Sequence, residues 1–377
     1  MKGLRTWIEI DQKAIKHNLA IFRSLINPKV KLMSVVKSNA YGHGLYDFTV
    51  AIDKLGADWF GVDSLIEGLA LRREEVKKPI LVLGFTLPER MMEAAENDVS
   101  ITVSNFEILA AVAKRKSDRE IKIHIKIDTG MHRQGFSIFN LPKVCKIIAE
   151  ANKKGANIVV EGMYTHFAAA KNPSFPHETN KQIELFEEAI KIVECFGFKP
   201  IKHASATAGT LLFPRAHYDM VRIGIGLYGM WPSKEVERSL RSRFNLEPVM
   251  SWKTIIGEVK KLPEGGGVGY DLTERLPKNS KIAVCPVGYW HGYGRVFSSV
   301  GNVLVRGQRA RVVGRVSMDM ITIDVSKTKG LKVGDEVVII GKQGKYKITA
   351  DEMAFISDGV NYEIVTRTNP LIKRILV

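Results

Sequence analysis

Apolar runs alternate with helical segments through the first 230 residues of the chain. Apolar residues recur every three or four positions in segments such as Asn105–Lys116, Leu141–Lys153 and Thr179–Phe196, which predicts helices. The runs between these segments are short and predict strands. The predicted strands are Leu32–Val36, Trp59–Val62, Ile80–Leu83, Ile101–Val103, Ile121–Ile127, Ile158–Tyr164, Ile201–Ala204 and Met220–Ile225. Eight strands alternating with helices are typical of a (β/α)8 barrel, with a doubly wound sheet as the alternative.

The pattern changes after Pro232. The segment Ser233–Asn245 is charged and polar, and we interpret it as a linker. Short alternating runs separated by turn residues follow, which predicts a mainly β domain. The runs are Thr254–Val259, Lys281–Val287, Asn302–Val305, Ala310–Val313, Ile321–Val325 and Glu336–Ile340. The predicted organisation is therefore an α/β chain, with an N-terminal (β/α)8 barrel over residues 1–236 and a mainly β C-terminal domain over residues 237–377.

Length and composition agree with this picture. A chain of 377 residues is long enough for two domains, and 45% apolar with 25% charged residues is typical of a globular protein. We find no apolar stretch of membrane-spanning length and no signal peptide, so we expect a cytoplasmic protein without a membrane partner. Cys145, Cys195 and Cys285 are far apart and lack a CxxC pattern, which argues against a disulfide framework or a metal site.

The net charge of +16 raises the question of a nucleic-acid partner. The basic residues are spread widely, and clusters such as Arg72–Lys78 and Lys342–Lys347 are short. The sequence has no basic stripe and no platform of aromatic residues of the kind that binds single strands. We therefore interpret the charge as a solvated basic surface and expect no nucleic-acid partner.

One predicted strand has an unusual face. In the stretch "IKIHIKIDTG", isoleucines alternate strictly with Lys122, His124, Lys126 and Asp128. Helices cover the outside of a barrel and need apolar residues there, so the polar face should point into the barrel. Charges in that position are costly unless they are paired or functional. An edge strand with a solvated polar face is the alternative.

Several chemically active residues follow the predicted barrel strands. Active sites of such barrels lie at the carboxyl ends of the strands. Any one of these residues alone would be an ordinary surface group or a structural ion pair, but together they predict a site at one rim. The residues are Lys37, Lys126, Asp128, His166, His203, Ser205 and Arg222.

The motifs around these residues resemble the alanine racemase family. "VVKSNAYGHG", "KIDTGMHRQGF", "YTHFA", "MVRIGIGLYG", "VGY", "PVGYWHGYGR" and "GRVSMDM" occur in the family's order, and the resemblance runs from about Trp7 to Tyr362. It implies a barrel followed by a β domain, pyridoxal 5′-phosphate as cofactor, and a homodimer with shared active sites. The implied reaction interconverts L-alanine and D-alanine, a peptidoglycan precursor.

The resemblance also implies a role for individual residues at the cofactor. Lys37 would form the Schiff base with pyridoxal phosphate, since an amine that loses its proton can attack a carbonyl. Arg222 would face the pyridine nitrogen, to which a permanently protonated guanidinium cannot give a proton. His166 would bridge Arg222 and the second catalytic base. The residues that would hold the phosphate are Tyr41, Thr207, Gly224, Ile225 and Tyr362.

Racemisation requires proton removal on one face of Cα and proton return on the other, which two bases can provide. The resemblance implies Lys37 as one base and Tyr270, from the β domain of the other subunit, as the second. Arg133 would donate a hydrogen bond to the phenolic oxygen of the cofactor. Arg133 and the backbone N–H of Met318 would both contact the substrate. Tyr289 and Arg315 would line the entrance. Lys126 matches a lysine that is often carbamylated; pairing of Lys126 with an acid or with chloride is the alternative.

The sequence departs from the family pattern near the entrance. Gly269 and Asp271 flank Tyr270, Ile223 replaces a common proline, and Lys171 replaces a common acid. The usual YADG reads Tyr289-Trp290-His291-Gly292. These changes leave open a racemase of serine or of a basic amino acid on the same scaffold. A non-catalytic pyridoxal-phosphate carrier is a further alternative, against which the β domain with Tyr270 counts.

Overall fold

The computed structural model describes residues 3–277 and 279–377, which form two compact units. The barrel unit comprises Ile15–Ala40 and Thr49–Glu247. The β unit comprises the N-terminal segment through Ala14, the insert Tyr41–Phe48 and Pro248–Val377. The first strand, β1 (Thr6–Ile10), lies in the β unit. The division therefore differs from the predicted boundary between residues 236 and 237, because the chain enters the β unit three times.

The barrel unit is built on eight parallel strands. They are β2 (Lys31–Val35), β3 (Trp59–Val62), β4 (Ile80–Val82), β5 (Val99–Val103), β6 (Ile121–Lys126), β7 (Ile158–Tyr164), β8 (Ile201–His203) and β9 (Met220–Ile223). Neighbours in sequence pair from β2 to β8, and β9 pairs with β2. Hydrogen bonds from the Asp219 and Arg222 N–H groups to the carbonyls of Lys202 and Ser205 join β8 to β9. This order confirms the predicted barrel and excludes a doubly wound sheet.

Several helices follow a residue whose side chain accepts from one of the first free N–H groups. Asn105 accepts from the N–H of Ile108 at 2.8 Å, so its helix begins at Phe106. The predicted helix Leu141–Lys153 is observed with those bounds. The α-helices are Gln12–Leu25, Leu45–Lys54, Leu65–Arg73, Met91–Glu96, Phe106–Ala113, Leu141–Lys153, Pro176–Cys195, Thr207–Leu212, Lys234–Leu240, Ala350–Ile356 and Asn361–Thr366. None of the helices in the described ranges is both long and apolar enough to cross a membrane.

The predicted linker Ser233–Asn245 contains a helix, so that prediction was wrong. Ser233 caps the helix Lys234–Leu240 by accepting from the N–H of Val236 at 3.3 Å. Val236 and Leu240 are buried on its inner face. The signal in the sequence was a serine followed by acidic residues in the first turn, which is a typical helix start.

The polar face of β6 points into the barrel, as the alternation predicted. β6 pairs with β5 on one side and with β7 on the other, which excludes the edge-strand alternative. His124 and Lys126 are buried, and the His124 ring packs edge-on against Trp59 of β3 with ring centroids 5.5 Å apart. The interior of the barrel is therefore partly polar, and its charges require compensation.

The β unit is organised around a sheet that joins both ends of the chain. β1 lies between β10 (Met250–Ile255), to which it is antiparallel, and β20 (Lys373–Leu376), to which it is parallel. The remaining strands are β11 (Glu258–Lys261), β12 (Gly267–Val268), β13 (Glu274–Arg275), β14 (Lys281–Cys285), β15 (Asn302–Val305), β16 (Gln308–Arg311), β17 (Ile321–Asp324), β18 (Glu336–Gln343) and β19 (Tyr346–Ile348). The sheet order is β16-β15-β18-β10-β1-β20, with β19 paired to β18, and β11-β14-β17 form a second sheet.

The mainly β prediction for this region is confirmed, although individual bounds differ. The run predicted as one strand, Thr254–Val259, is divided between the end of β10 and the start of β11. Gly257 lies between the two strands, and its N–H donates to the carbonyl of Val284 on β14. The first and last strands were not predicted, because single short runs at chain ends give little pattern to read.

Candidate active site

Lys37 stands at the start of a left-handed turn. Ser38, Asn39, Ala40 and Tyr41 all have φ between 51° and 56°. This conformation costs about 1–2 kcal/mol per residue for side chains other than glycine. The Ala40 N–H donates to the carbonyl of Val36 at 2.8 Å, which supports the turn. Strain of this kind persists where the surrounding structure imposes it, and it is common at functional sites.

Two acids hold this turn against the neighbouring strand β3. One oxygen of Glu67 accepts from the Asn39 N–H at 3.2 Å, and the other accepts from the Asp63 N–H at 2.9 Å. Asp63 in turn forms an ion pair with the Lys37 ammonium at 3.1 Å. The Lys37 side chain is 37% exposed, so its amine is accessible from solvent after the end of β2.

Arg222 is buried in the barrel and surrounded by acceptors. Its Nη atoms donate to the carbonyls of Thr165, His203 and Ala204 and contact ring nitrogens of His166 and His203. Nε makes no hydrogen bond with any residue that the structure describes, and it is the donor that remains for a ligand. Burial lowers the pKa of Arg222 to about 10, so the guanidinium stays protonated at neutral pH.

The two histidines that contact Arg222 are neutral. Burial and the charge of Arg222 hold the pKa of His166 and of His203 well below the usual histidine range. His166 Nδ1 lies 3.3 Å from Arg222 Nη2 and can accept from it. A neutral imidazole next to a buried guanidinium avoids a second positive charge.

Lys126 lies on the inner face of β6 above an aromatic ring. Its Nζ is 4.3 Å from the centroid of the Tyr164 ring, and it forms no ion pair within the described residues. Burial, together with the charges of Arg222 and Arg133, lowers the pKa of Lys126 well below that of a solvated lysine. Arg133 is exposed but acts electrostatically on Lys126, His166 and Tyr164.

Asp128 and Ser205 are structural in this arrangement. One oxygen of Asp128 accepts from three successive backbone N–H groups, of Gly130, Met131 and His132, at 3.0–3.1 Å. It thereby shapes the loop that carries Arg133. The Ser205 hydroxyl donates to the carbonyl of Ala216 at 2.9 Å.

The loop after β9 offers backbone N–H groups to one hydroxyl. The N–H groups of Gly224 and Gly226 both point to Thr207 Oγ1, at 3.3 and 3.4 Å. A Cβ on Gly226 would lie 2.3 Å from the Phe22 ring, so only glycine fits there. Converging N–H groups and a hydroxyl beyond the last strands are suited to bind a phosphate.

The other predicted site residues belong to the β unit. The rings of Tyr41 and Tyr362 lie together there, with centroids 6.1 Å apart. Tyr270 is 70% exposed, and the next residue, Asp271, has a φ of 58° and forms an ion pair with Arg315 at 3.0 Å. The loop of Tyr289 and the loop of Met318 are joined by a hydrogen bond from the Trp290 N–H to the Met318 carbonyl at 3.0 Å.

Sequence reasoning missed several residues of the barrel site. Tyr164 was quoted only within a motif, yet Lys126, Arg222 and His203 all contact its ring. Asp63 and Glu67 were not singled out, although Asp63 follows β3 as Lys37 follows β2. A polar residue at the carboxyl end of the neighbouring strand was the available signal.

Comparison with known families accounts for nearly the whole chain. Residues 10–232 match the family model "Alanine racemase, N-terminal domain", and residues 249–376 match "Alanine racemase, C-terminal domain". The chain is 41% identical to an alanine racemase of Methanococcus maripaludis, covering 98% of each chain. It is 38% identical to one of Leptospira interrogans, covering 99% of this chain and 96% of that protein.

Solved structures agree with these matches. The fold is similar to the alanine racemase of Bacillus anthracis with bound L-Ala-P, with a TM-score of 0.92 and 35% identity, over 99% of this chain and 95% of that one. It is also similar to the alanine racemase of Clostridium difficile 630, with a TM-score of 0.91 and 32% identity, over 100% of this chain and 97% of that one.

The lowered pKa of Lys126 predicts a pH-dependent cost to stability. Between the folded-state pKa and the ordinary value of 10.5, the unfolded chain binds a proton that the folded chain lacks, so stability rises with pH in this range. Lys126→Met should remove that slope. In buffer freed of carbon dioxide, the variant should have a higher urea midpoint than the parent near pH 7, and the difference should shrink towards pH 10.

Lys154→Met, at an exposed position after the helix Leu141–Lys153, is the control and should leave both the midpoint and its pH slope unchanged. Equal pH slopes in the parent and Lys126→Met would contradict the prediction.

Proposed function

The chain belongs to the alanine racemase family, and from this premise we propose that it interconverts L-alanine and D-alanine with pyridoxal 5′-phosphate as cofactor. The observation that carries the proposal is the arrangement at the barrel mouth. An accessible amine, a buried guanidinium with one unused donor, and two N–H groups that converge on a hydroxyl lie at or after the ends of strands of one barrel.

The residues of the barrel unit fit this cofactor. Lys37 would hold its aldehyde carbon, and the Nε of Arg222 would donate to its ring nitrogen. Thr207 and the backbone N–H groups of Gly224 and Ile225 would bind its phosphate. Arg133 would donate to its phenolic oxygen. When bound, the cofactor supplies an electron-withdrawing group that acidifies the Cα–H of the amino acid.

Two bases of this chain would move the proton. The Lys37 amine would remove or return it on one face of Cα, and the phenolic oxygen of Tyr270 on the other. His166, neutral and in contact with Arg222, would bridge Arg222 and Tyr270. The backbone N–H of Met318 and the side chain of Arg133 would orient the substrate carboxylate, and Tyr289 would line the approach.

Arg222 would limit what the site can do. Since its guanidinium stays protonated, it would donate a hydrogen bond to the ring nitrogen without transferring a proton. Arg222 would thus keep this nitrogen unprotonated and limit the side reactions that a protonated ring would favour, so that Lys37 or Tyr270 returns the proton to Cα.

We propose that two copies of the chain form a homodimer in which Tyr270 of one copy completes the site of the other. Exposed apolar side chains of the β unit support an interface around Tyr270. They are Tyr270, Leu272, Tyr289, Trp290, Met318 and Met320, each 42–70% exposed. Large exposed apolar groups that lie together usually mark an interaction surface.

The cellular role that we propose is supply of D-alanine for peptidoglycan in the cytoplasm. The three cysteines are free, and Cys145 and Cys285 are buried, which supports a reducing compartment.

The direct test is a racemisation assay of the purified protein with pyridoxal phosphate, using alanine, serine and lysine. Alanine should react fastest, and a faster reaction of serine or lysine would favour the alternative substrates. Lys37→Ala should lose nearly all activity and the visible absorbance of the bound cofactor, because it removes the amine that would hold the aldehyde carbon of the cofactor.

Lys31→Ala is the matched control, since Lys31 lies exposed at the opposite end of the same strand. It should keep both activity and absorbance. If Lys37→Ala still formed a borohydride-reducible link to the cofactor at native stoichiometry, another residue would have to carry the cofactor.

Subunit mixing tests the shared site. Lys37→Ala and Tyr270→Phe chains should each have little activity alone. After subunit exchange, half of the dimers combine the two chains, and each such dimer has one complete site, so about a quarter of the parent activity should return. No recovery, with heterodimers demonstrated by native mass spectrometry, would contradict a shared site.

We propose further that Lys126 is carbamylated. Its neutral amine would attack the carbon of carbon dioxide, forming a C–N bond and releasing a proton to solvent. The resulting anion would pair with Arg133 and compensate the charge of the buried Arg222. With 13C-labelled bicarbonate, a carbamate carbon signal should appear in the parent and in Lys154→Met but not in Lys126→Met. Without such a signal, an anion such as chloride near Lys126 becomes the better explanation.

A further inference from the structure

A row of polar side chains crosses the barrel interior beneath Arg222. Arg222 Nη1 lies 3.0 Å from His203 Nδ1, and His203 Nε2 lies 2.8 Å from His124 Nδ1. His124 Nε2 lies 3.3 Å from an oxygen of Glu161. The four residues come from β9, β8, β6 and β7, and both histidines are fully buried. The mechanism proposed above uses Arg222 but none of the other three.

Glu161 lies at the end of this row farthest from Arg222, and it determines which nitrogen of each histidine ring carries the proton. The Glu161 carboxylate can only accept when it is ionised. Burial raises the pKa of Glu161, but hydrogen bonds from His124 and Ser100 and the charge of Lys122 outweigh burial and lower it. Glu161 is therefore an anion at neutral pH, and His124 must present its Nε2–H to it.

The remaining protons follow step by step. Burial lowers the pKa of His124, so its ring is neutral and its Nδ1 carries a lone pair. That lone pair accepts from the Nε2–H of His203. The neutral ring of His203 then has its own lone pair on Nδ1, and this accepts from Arg222 Nη1. All the N–H groups of the row point in one direction, from Arg222 towards Glu161.

We infer that Glu161, His124 and His203 are positioning residues that hold Arg222 as a donor through this one-way relay of hydrogen bonds. The inference rests on the proposed function, because it is the cofactor ring that Arg222 would serve. Glu161, three hydrogen bonds away from Arg222, thus controls the orientation of the Arg222 guanidinium.

Packing prevents the rings of His124 and His203 from rotating out of this arrangement. The His203 ring is stacked on Tyr164, with centroids 4.8 Å apart and planes at 7°, and the His124 ring is held against Trp59. A Cβ on Gly162 would lie 2.1 Å from His124 Nδ1, so the backbone of β7 closes on the ring. The rings can change tautomer but have no space to turn away.

The relay also places a negative charge opposite the buried guanidinium. Glu161 is held by the hydroxyl of Ser100 and lies near Lys122, which pairs with Asp98. Reversal of the relay would put the Nδ1–H of His203 against an N–H of Arg222. Two donors would then face each other, and Arg222 Nη1 would lose the ring nitrogen that accepts from it.

The imidazole protons provide the decisive measurement. The protein labelled with 15N-histidine, with and without bound pyridoxal phosphate, should show neutral Nε2–H tautomers for His124 and His203 by 15N NMR near neutral pH. Their signals can be assigned from His124→Gln and His203→Gln variants. A Nδ1–H tautomer or a doubly protonated ring at either position would overturn the relay.

Two substitutions separate a positioning role from a structural one. In Glu161→Gln, the amide oxygen can still accept from His124, so the tautomers should be kept. Glu161→Leu removes the acceptor, so a Nδ1–H tautomer should appear, the visible band of the bound cofactor should shift, and kcat should fall about 10- to 100-fold with little change in KM. Glu161→Gln should retain most of the kcat that Glu161→Leu loses. Glu150→Leu, at an exposed helix position, is the matched control.

The outcomes distinguish this inference from the proposed function. A folded Glu161→Leu chain with the spectrum and kcat of Glu150→Leu would overturn the positioning role. If Glu161→Leu does not fold, two measurements replace it: the histidine tautomers of the parent protein, and the kcat of Glu161→Gln compared with that of Glu150→Leu. A greater loss of kcat in Glu161→Gln than in Glu161→Ser would overturn the positioning role. If the parent racemises no amino acid, the proposed function fails, while the tautomers of the cofactor-free protein still decide the relay.

Discussion

A guanidinium enclosed inside the barrel is the constraint on which the site depends. Transfer of a charge from water into a protein interior costs several kcal/mol unless acceptors surround it. Arg222 has such acceptors only because β7 and β8 end where the carbonyls and ring nitrogens of their last residues and of the residues that follow them converge on it. Burial and this charge together lower the pKa of the neighbouring histidines and of Lys126. The protonation of these groups therefore depends in part on Arg222.

The same constraint explains why the inner face of β6 is polar. A barrel filled with aliphatic side chains would be more stable, but it could not hold a cation at its mouth. His124 continues the hydrogen bonds of Arg222 into the interior, and Lys126 lies over the same tyrosine ring as Arg222. The isoleucines of β6 face outward and provide the apolar contact that the covering helices need. One strand thus serves packing on one face and chemistry on the other.

Much of the fold could be predicted from the sequence because it depends on periodicity. The apolar runs predicted the eight barrel strands nearly at their bounds, and strict alternation predicted the inward face of β6. The left-handed turn after Lys37 could not be predicted in this way. None of Ser38 to Tyr41 is a glycine, so the residue types do not indicate positive φ values. Contacts such as the hydrogen bond from the Asn39 N–H to Glu67 impose them. Asp63 and Glu161 were missed for a related reason, since their importance arises from residues distant in sequence.

The path of the chain between the units has a consequence for how the protein could be divided. The insert Tyr41–Phe48 begins at the last residue of the left-handed turn and is eight residues long, and β1 lies in the interior of the β sheet between β10 and β20. A gene cut between residues 236 and 237 would therefore separate a sheet from its own inner strand. Neither product would be a module that evolution or a protein engineer could transplant alone. Recombination within this family should be tolerated only when the N-terminal segment that contains β1 is exchanged together with the C-terminal half.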